Sequence, residues 1–342
     1  MANLTDAGTL VRLAYQGLVN LGIDANEVLK RSGLQPDRLY TTNLRTQFSA
    51  QPRFWQAAVE LSGDPSIGLH IAEKMPVYKG QIIEYLFLSS ANFGDGLRRN
   101  ISYQRLVSDA LQARLVEQSS PYLTGYFVDR KYVTSHLIEA LSLGVIKMFQ
   151  AVTDGVFKPE KIAFVHSPNT DIAEYERIFQ CPVEFNADKF RLYFAKEILD
   201  YRSLNSAPEL LDLHVRVADN HIAMLQQQDF IDDVNSLIAS MLESGTASLD
   251  TVSEKLRITP RQLRHRLKSA DTSFQQLLNN LRRSLARRLL SKTDEDISEI
   301  VYLTGFSEPS TFYRAFKRWE NTTPIEYRQK FRPAATTGMK TI

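Results

Sequence analysis

The sequence predicts an α+β N-terminal domain followed by an all-α C-terminal domain with two helix-turn-helix units. Three observations predict it. Apolar residues recur with a helical period over most of the first 110 residues, then with a period of two over 111–130 and in short runs over 161–195. Residues 248–268 and 303–319 then repeat one local pattern: a break, a small polar residue, a proline, and a helix with one apolar and one cationic face. Charge follows the same division. Residues 246–332 carry 17 Lys and Arg against 10 Asp and Glu, a net +7, whereas residues 1–245 carry 23 against 29, a net −6.

Taken in order, helices are expected over 7–21, 25–31 (stopped by Ser32-Gly33), 52–62, 80–90 and 94–108. The alternating runs 111–118 and 122–130 flank Ser-Ser-Pro and predict a hairpin. A long helix over 133–153 follows, then a strand over 161–166, a helix over 171–179, and a final strand pair, 183–186 with 190–195. A helix over 208–227 leads out of this region without any Pro-, Gly- or Ser-rich linker. The expected boundaries are an α+β domain over 1–205, a helical connector over 206–245, an all-α domain over 246–332 and a disordered tail over 333–342.

In the first repeat, Ser248 opens a short helix burying Val252 and Leu256, and Thr259 caps the next with Pro260 in its first turn. Leu263 and Leu267 face inward, while Arg261, Arg264, His265 and Lys268 share the opposite face and Gln262 sits beside them. That helix contains no carboxylate, which is unusual for a face that is merely solvated. In the second repeat, LTGFSEPSTFYRAFKRW, Gly305 breaks a helix, Ser307 is placed to cap the next, and Pro309 falls in its first turn. Phe312, Ala315, Phe316 and Trp319 form its apolar stripe. Ser310, Thr311, Arg314, Lys317 and Arg318 line the other side, with Glu308 just before the helix. Such donors suit phosphates and base edges. Between the repeats, Phe274, Leu277, Leu278, Leu281, Leu285 and Leu289 recur helically, and a straight helix over 273–291 spans roughly 28 Å. Such a spacer suits two recognition helices about one duplex turn apart, roughly 34 Å. Arg282, Arg283, Arg287 and Arg288 lie on it as further candidates for phosphate.

A basic module on an acidic body is the electrostatic footprint of a DNA reader. TPRQLRHRLK, TSFQQLLNNLRRSLARRLL, GFSEPSTFYRAFKRW and TTPIEYR closely resemble the DNA-binding domain of the AraC/XylS transcription regulators, over residues 246–332. The resemblance implies two helix-turn-helix units, each inserting one recognition helix into the major groove of promoter DNA. It implies a transcriptional activator with RNA polymerase as partner and a homodimer as one form; cytoplasmic location is expected from a start without a basic n-region, the lack of a spanning apolar run and the single cysteine. Asp271 and Asn321 stand where the family commonly has glycine, and both residue types tolerate a left-handed backbone. Val301-Tyr302 replaces small alanines.

The segments LGIDANEVLKRSGL, GDPSIGLHIAEKM, YKGQIIEYLFLSSANFGDGLRR and YERIFQCPVEFN resemble the "arabinose-binding-like" N-terminal regulatory domain of one AraC-type subgroup. The resemblance implies effector sensing by residues 1–205, without implying a sugar. Aromatic Tyr78, Tyr85, Tyr103, Tyr126 and Phe149 with the cations Lys79 and Arg105 are the candidate pocket, suited to an apolar or fatty acid-like small molecule.

The composition excludes several classes. His70, His136, His166, His214, His221 and His265 show no metal-ligand spacing, and no metal or cofactor is expected. Neither a Gly-rich phosphate loop nor a GxSxG nucleophile motif occurs, so no catalytic residue is assigned and no enzyme is expected. No apolar run reaches membrane-spanning length. A single cysteine, Cys181, precludes an intrachain disulfide. Two alternatives remain: a redox-responsive protein acting through Cys181, and a non-specific architectural DNA binder.

Overall fold

A computed structural model describes residues 4–331, and the tail expected over 333–342 lies outside the described residues. Contacts divide the chain into two units, Met1–Ala223 and Met224–Ile342, and the division falls inside one helix.

The first unit opens with β1 (Thr5–Ala7), α1 (Gly8–Asn20), α2 (Ala25–Ser32) and β2 (Arg45–Gln47). It continues through α3 (Gln51–Ser62), α4 (Ile67–Lys74), α5 (Ile82–Leu88) and α6 (Phe93–Ser102). Local chemistry explains several ends. Asp24 caps α2 by accepting from the Glu27 amide at 3.0 Å, and Gly33 ends it with φ 85°. Asn92 caps α6 by accepting from the Asp95 amide at 2.8 Å. The antiparallel pair β1–β2 was not expected, since each strand has only three residues and no alternation to read.

Helix α4 was not expected either. Only His70, Glu73 and Lys74 mark its polar side, and eight residues are little more than two turns, too few to establish a period. Its place is set by α7 (Ser135–Val152): a Cβ on Gly68 would lie 2.4 Å from the His136 Cα, so only glycine allows this approach. From α7, the Lys147 ammonium donates to the carbonyls of Ala72 (2.7 Å), Glu73 (2.7 Å) and Met75 (3.0 Å), closing the C-terminal end of α4.

β3 (Leu111–Val116) and β4 (Tyr122–Phe127) form the expected hairpin, with Leu115 opposite Leu123. After α7 come β5 (Pro159–Ala163), α8 (Ile172–Phe179), β6 (Val183–Glu184), β7 (Phe190–Phe194) and α9 (Pro208–Met241). The sheet order is β3-β4-β7-β5-β6. The expected pairing of the last two strands is therefore corrected: β7 lies between β4 and β5, and β6 runs parallel to β5 at the edge. Leu192 and Phe194 of β7 are almost fully buried and suit a central strand, whereas the two-residue β6 suits an edge. Helix α9 extends well past the 208–227 expected for it.

The second unit comprises the end of α9, α10 (Leu249–Lys255), α11 (Pro260–Ser269), α12 (Phe274–Lys292), α13 (Ile297–Leu303), α14 (Pro309–Glu320) and α15 (Pro324–Phe331). It has two cores. Phe230, Val234 and Ile238 of α9 pack with Val252, Leu263, Leu267, Leu277 and Leu278; Ala286 and Leu290 pack with Ile300, Phe306, Phe312, Phe316 and Tyr327. One helix, α12, serves both. Among the described residues no helix is long and apolar enough to cross a membrane.

Candidate nucleic-acid interface

The first helix-turn-helix unit is held by two reciprocal caps. At α10, the Ser248 hydroxyl accepts from the Thr251 amide at 3.1 Å while the Thr251 hydroxyl accepts from the Ser248 amide at 3.0 Å. At α11, the Thr259 hydroxyl accepts from the Gln262 amide at 3.2 Å, and the Gln262 side-chain oxygen accepts from the Thr259 amide at 2.8 Å. Gln262 therefore begins the helix as well as lining its outer side. Leu263 and Leu267 are fully buried, and burying those two side chains orients the helix. Arg261, Gln262, Arg264, His265 and Lys268 are all exposed. Arg266 differs: its guanidinium stacks 3.5 Å from the Phe230 ring centroid, anchoring α11 to α9.

In the second unit, Gly305 takes φ 74° and Phe312, Ala315 and Phe316 are buried while Trp319 is half-buried. The expected cap by Ser307 is corrected: the N-cap is Glu308, without a side-chain cap bond. Pro309 pushes the residue before it into the extended region (φ −136°, ψ 133°), so Glu308 becomes the half-in residue and Ser307 lies one position outside. Glu308, Ser310, Thr311, Arg314, Lys317 and Arg318 are exposed. The Glu308 carboxylate accepts from the Ser310 hydroxyl at 3.5 Å, and the Arg314 Nε donates to the Ser310 carbonyl at 3.3 Å. The left-handed backbone expected at Asp271 and Asn321 is present, with φ 52° and 57°.

The cations of α12 divide by partner. Arg282 donates to the Gly305 carbonyl, Arg283 pairs with Glu320 at 2.6 Å, and Arg287 donates to the Tyr327 hydroxyl at 3.0 Å. Arg288 is exposed. Three of the four thus hold α12 against the second unit's turn and its last two helices.

The candidate effector residues are dispersed within the first unit. Tyr78 lines a cavity of about 170 Å³. The other six do not line it. Lys79 is exposed; Tyr85 stacks 5.3 Å from the His214 ring; Tyr103 donates to Asp219 at 2.6 Å. Arg105 pairs with Asp109 at 2.8 Å, Tyr126 is half exposed, and Phe149 is buried among Phe87, Phe93 and Phe157. The cavity wall instead includes Asp6, Gln51, Trp55, Ile83, Ala140 and Gly144, drawn from strands and helices distant in sequence and carrying no shared period.

Histidines gather where no spacing announced them. His136 Nδ1 lies 3.9 Å and His166 Nε2 4.0 Å from the carboxyl of fully buried Glu139, which accepts from Tyr175 (2.7 Å) and Asn169 (3.0 Å). Burial pushes Glu139 up to about 7 and pushes both histidines below their ordinary value. His70 is held between Asp64 and Glu174. Among the described residues no group of three His, Cys, Asp or Glu has metal-holding geometry. Cys181 is buried, and burial pushes its thiol up to about 11, the reverse of a reactive thiolate.

Comparison with known proteins follows the same division. A model of the arabinose-binding domain of AraC transcription regulators, N-terminal, matches residues 22–203, more than half of the 342 residues. A helix-turn-helix domain model matches residues 252–330. The ornithine utilization regulator of Pseudomonas aeruginosa is 24% identical over 339 residues, covering 94% of this chain and 96% of that protein. The HTH-type transcriptional regulator VirS of Mycobacterium tuberculosis is 23% identical over 336 residues, covering 94% and 97%. The crystal structure of the transcriptional regulator CdpR from Pseudomonas aeruginosa, 19% identical, covers 89% of this chain and 96% of its own with a TM-score of 0.44.

Proposed function

The chain belongs to the AraC family of DNA-binding transcription regulators, and from that premise we propose that it reads one promoter site through α11 and α14, inserted into successive major grooves. The observation that carries this reading is the pairing of two helices with buried apolar faces and exposed cationic faces, in separate cores served by one helix. The 19 residues of α12 span roughly 28 Å, close to the ~34 Å repeat of the duplex. Base contacts are assigned to Arg261, Arg264 and His265 of α11 and to Thr311 and Arg314 of α14. Lys268, Lys317 and Arg318 are assigned to phosphates, with Gln262, Glu308 and Ser310 at the helix entrances. Glu308 disfavours phosphate and favours the amino group of cytosine.

We extend the reading to activation of transcription in contact with RNA polymerase, tuned by a small molecule in the first unit. Genome-wide mapping of bound sites tests the DNA reading. A motif of two half-sites one duplex turn apart supports it; equal affinity for scrambled duplex makes the protein an architectural binder instead.

A further inference from the structure

The cavity in the first unit has a composition that selects its occupant. Its volume, about 170 Å³, is that of apolar cavities that admit a benzene-sized molecule. Its wall is mainly apolar, with Leu10, Val11, Phe54, Ile83, Leu137 and Met148 among its members. Exposed Gln47 and Pro76 also belong to the lining, so the cavity reaches solvent.

Its polar groups are few and carry no positive charge. Asp6 and Tyr78 are the ionisable residues of the lining, which contains no Lys, Arg or His. The Asp6 carboxyl accepts from Ser108 at 2.6 Å and from Gln51 at 2.8 Å, and Gln51 in turn accepts from the Trp55 indole at 2.9 Å. Burial nevertheless raises Asp6 above the ordinary carboxylate range, outweighing those bonds and the nearby Arg45. The nearest cations are engaged elsewhere. Arg45 holds Asp109 at 3.0 Å, and Arg12 donates to the Leu39 carbonyl and the Thr9 hydroxyl, each at 3.0 Å. The Tyr78 hydroxyl has no hydrogen-bond partner among the described residues, which leaves a donor at the wall.

We propose that this cavity is the effector site, and that it takes a compact, uncharged, mainly apolar molecule with one hydrogen-bonding group, such as an aromatic alcohol. The proposal rests on the reading of the first unit as a sensor. A carboxylate entering here meets a buried carboxyl and no cation in the lining, with Arg12 and Arg45 already engaged, so its desolvation is poorly compensated. Of the apolar or fatty acid-like molecule expected from sequence, the fatty acid-like alternative is disfavoured on that ground, as is the α-carboxylate of an amino acid, and the apolar one is kept. The sequence expectation placed its anchors at Lys79 and Arg105, neither of which reaches the wall.

The test uses three single-ring probes of similar size, benzyl alcohol, benzylamine and benzoate, on the full-length Trp319→Phe protein. That background leaves Trp55, in the cavity wall, as the remaining one of two tryptophans. The expected result is a saturable change in Trp55 fluorescence with benzyl alcohol, at least about tenfold weaker with benzoate and with the benzylamine cation. Ala140→Leu, which fills the cavity, abolishes it; Ala14→Leu, at a half-exposed lining position, does the same if the first variant loses its circular dichroism. Benzoate binding as tightly as benzyl alcohol overturns the proposal. So does benzyl alcohol without saturation, or unchanged binding in both filled variants. Bound benzyl alcohol that leaves promoter affinity unaltered overturns the effector role. Gel shifts of the unliganded parent report DNA reading separately, so failure there is distinguishable from failure of the cavity.

Discussion

The guanidinium of Arg282 donates through Nη2 to the carbonyl oxygen of Gly305 at 2.6 Å. It also lies 4.4 Å from the Phe306 ring centroid, so α12 grips the turn of the second helix-turn-helix unit. Burial lowers the Arg282 pKa, as expected of a desolvated cation. Arg282→Ala is expected to destabilise the second unit by about 2 kcal/mol, since it leaves a carbonyl without its charged donor. Lysine should not restore this, because it lacks the planar group that stacks and donates together. Urea denaturation followed by Trp319 fluorescence in a Trp55→Phe background measures it. Wild-type stability with a reduced salt slope of DNA binding would instead make Arg282 a phosphate contact.

Gly305 itself offers a second test. With φ 74°, and with the Leu242 carbonyl oxygen 2.5 Å from where a Cβ would sit, it has neither the backbone freedom nor the room for a side chain. Gly305→Ala is expected to cost about 1–3 kcal/mol of second-unit stability and to weaken DNA binding in proportion. Unaltered stability in the same urea experiment refutes the close approach.

Arg264 and Lys317 should fail differently. Arg264→Ala is expected to lose about 1–3 kcal/mol at the cognate site and relax one base preference, whereas Lys317→Ala weakens all sequences alike and lowers the salt slope by about one. Binding of both variants to a panel of single-base substitutions separates the roles. An unchanged base preference in Arg264→Ala removes it from base readout.

Stability of the first unit should carry the signature of Glu139. Its folded value of about 7 exceeds the ordinary 4.5 because of burial, so its favourable contribution is full below 4.5 and is lost as pH rises through 7. His136 and His166, lowered by burial, act oppositely: their contribution is present above 6.5 and is lost as pH falls through their folded values. Comparing Glu139→Gln with wild type isolates the carboxyl. The variant is expected to gain, relative to wild type, on the order of 3 kcal/mol between pH 4.5 and 7. A flat difference in urea melts across that range contradicts the buried protonated acid.

Cys181 should be inert. With the thiol buried and pushed up to about 11, little thiolate exists at neutral pH. A thiol reagent is expected to label the native protein far more slowly than the unfolded one, and hydrogen peroxide to leave promoter affinity unaltered. Rapid labelling, or peroxide release from DNA, would restore the redox alternative.

Legibility varied with the range of the interactions. The caps at Ser248 and Thr259 each bond within three residues, so sequence displays them, and Leu263 and Leu267 announce their own face. Where one neighbour overrode another, sequence misled by a residue, as when Pro309 moved the cap from Ser307 to Glu308. The α12 stripe was read at Leu277 and Leu278, but Ala286 and Leu290 were missed because the helix turns a second face to a second core.

Sequence alone therefore determined the repeated helix-turn-helix pattern, its cationic outer faces and the family to which the chain belongs, because capping, periodicity and charge are properties of neighbours along the chain. Tertiary structure decided which arginines of α12 are engaged, where α4 and β7 lie, and that Asp6, Gln51, Trp55 and Tyr78 line one cavity. Those outcomes depend on groups tens of residues apart competing for the same buried space, and packing leaves no periodic trace in the sequence.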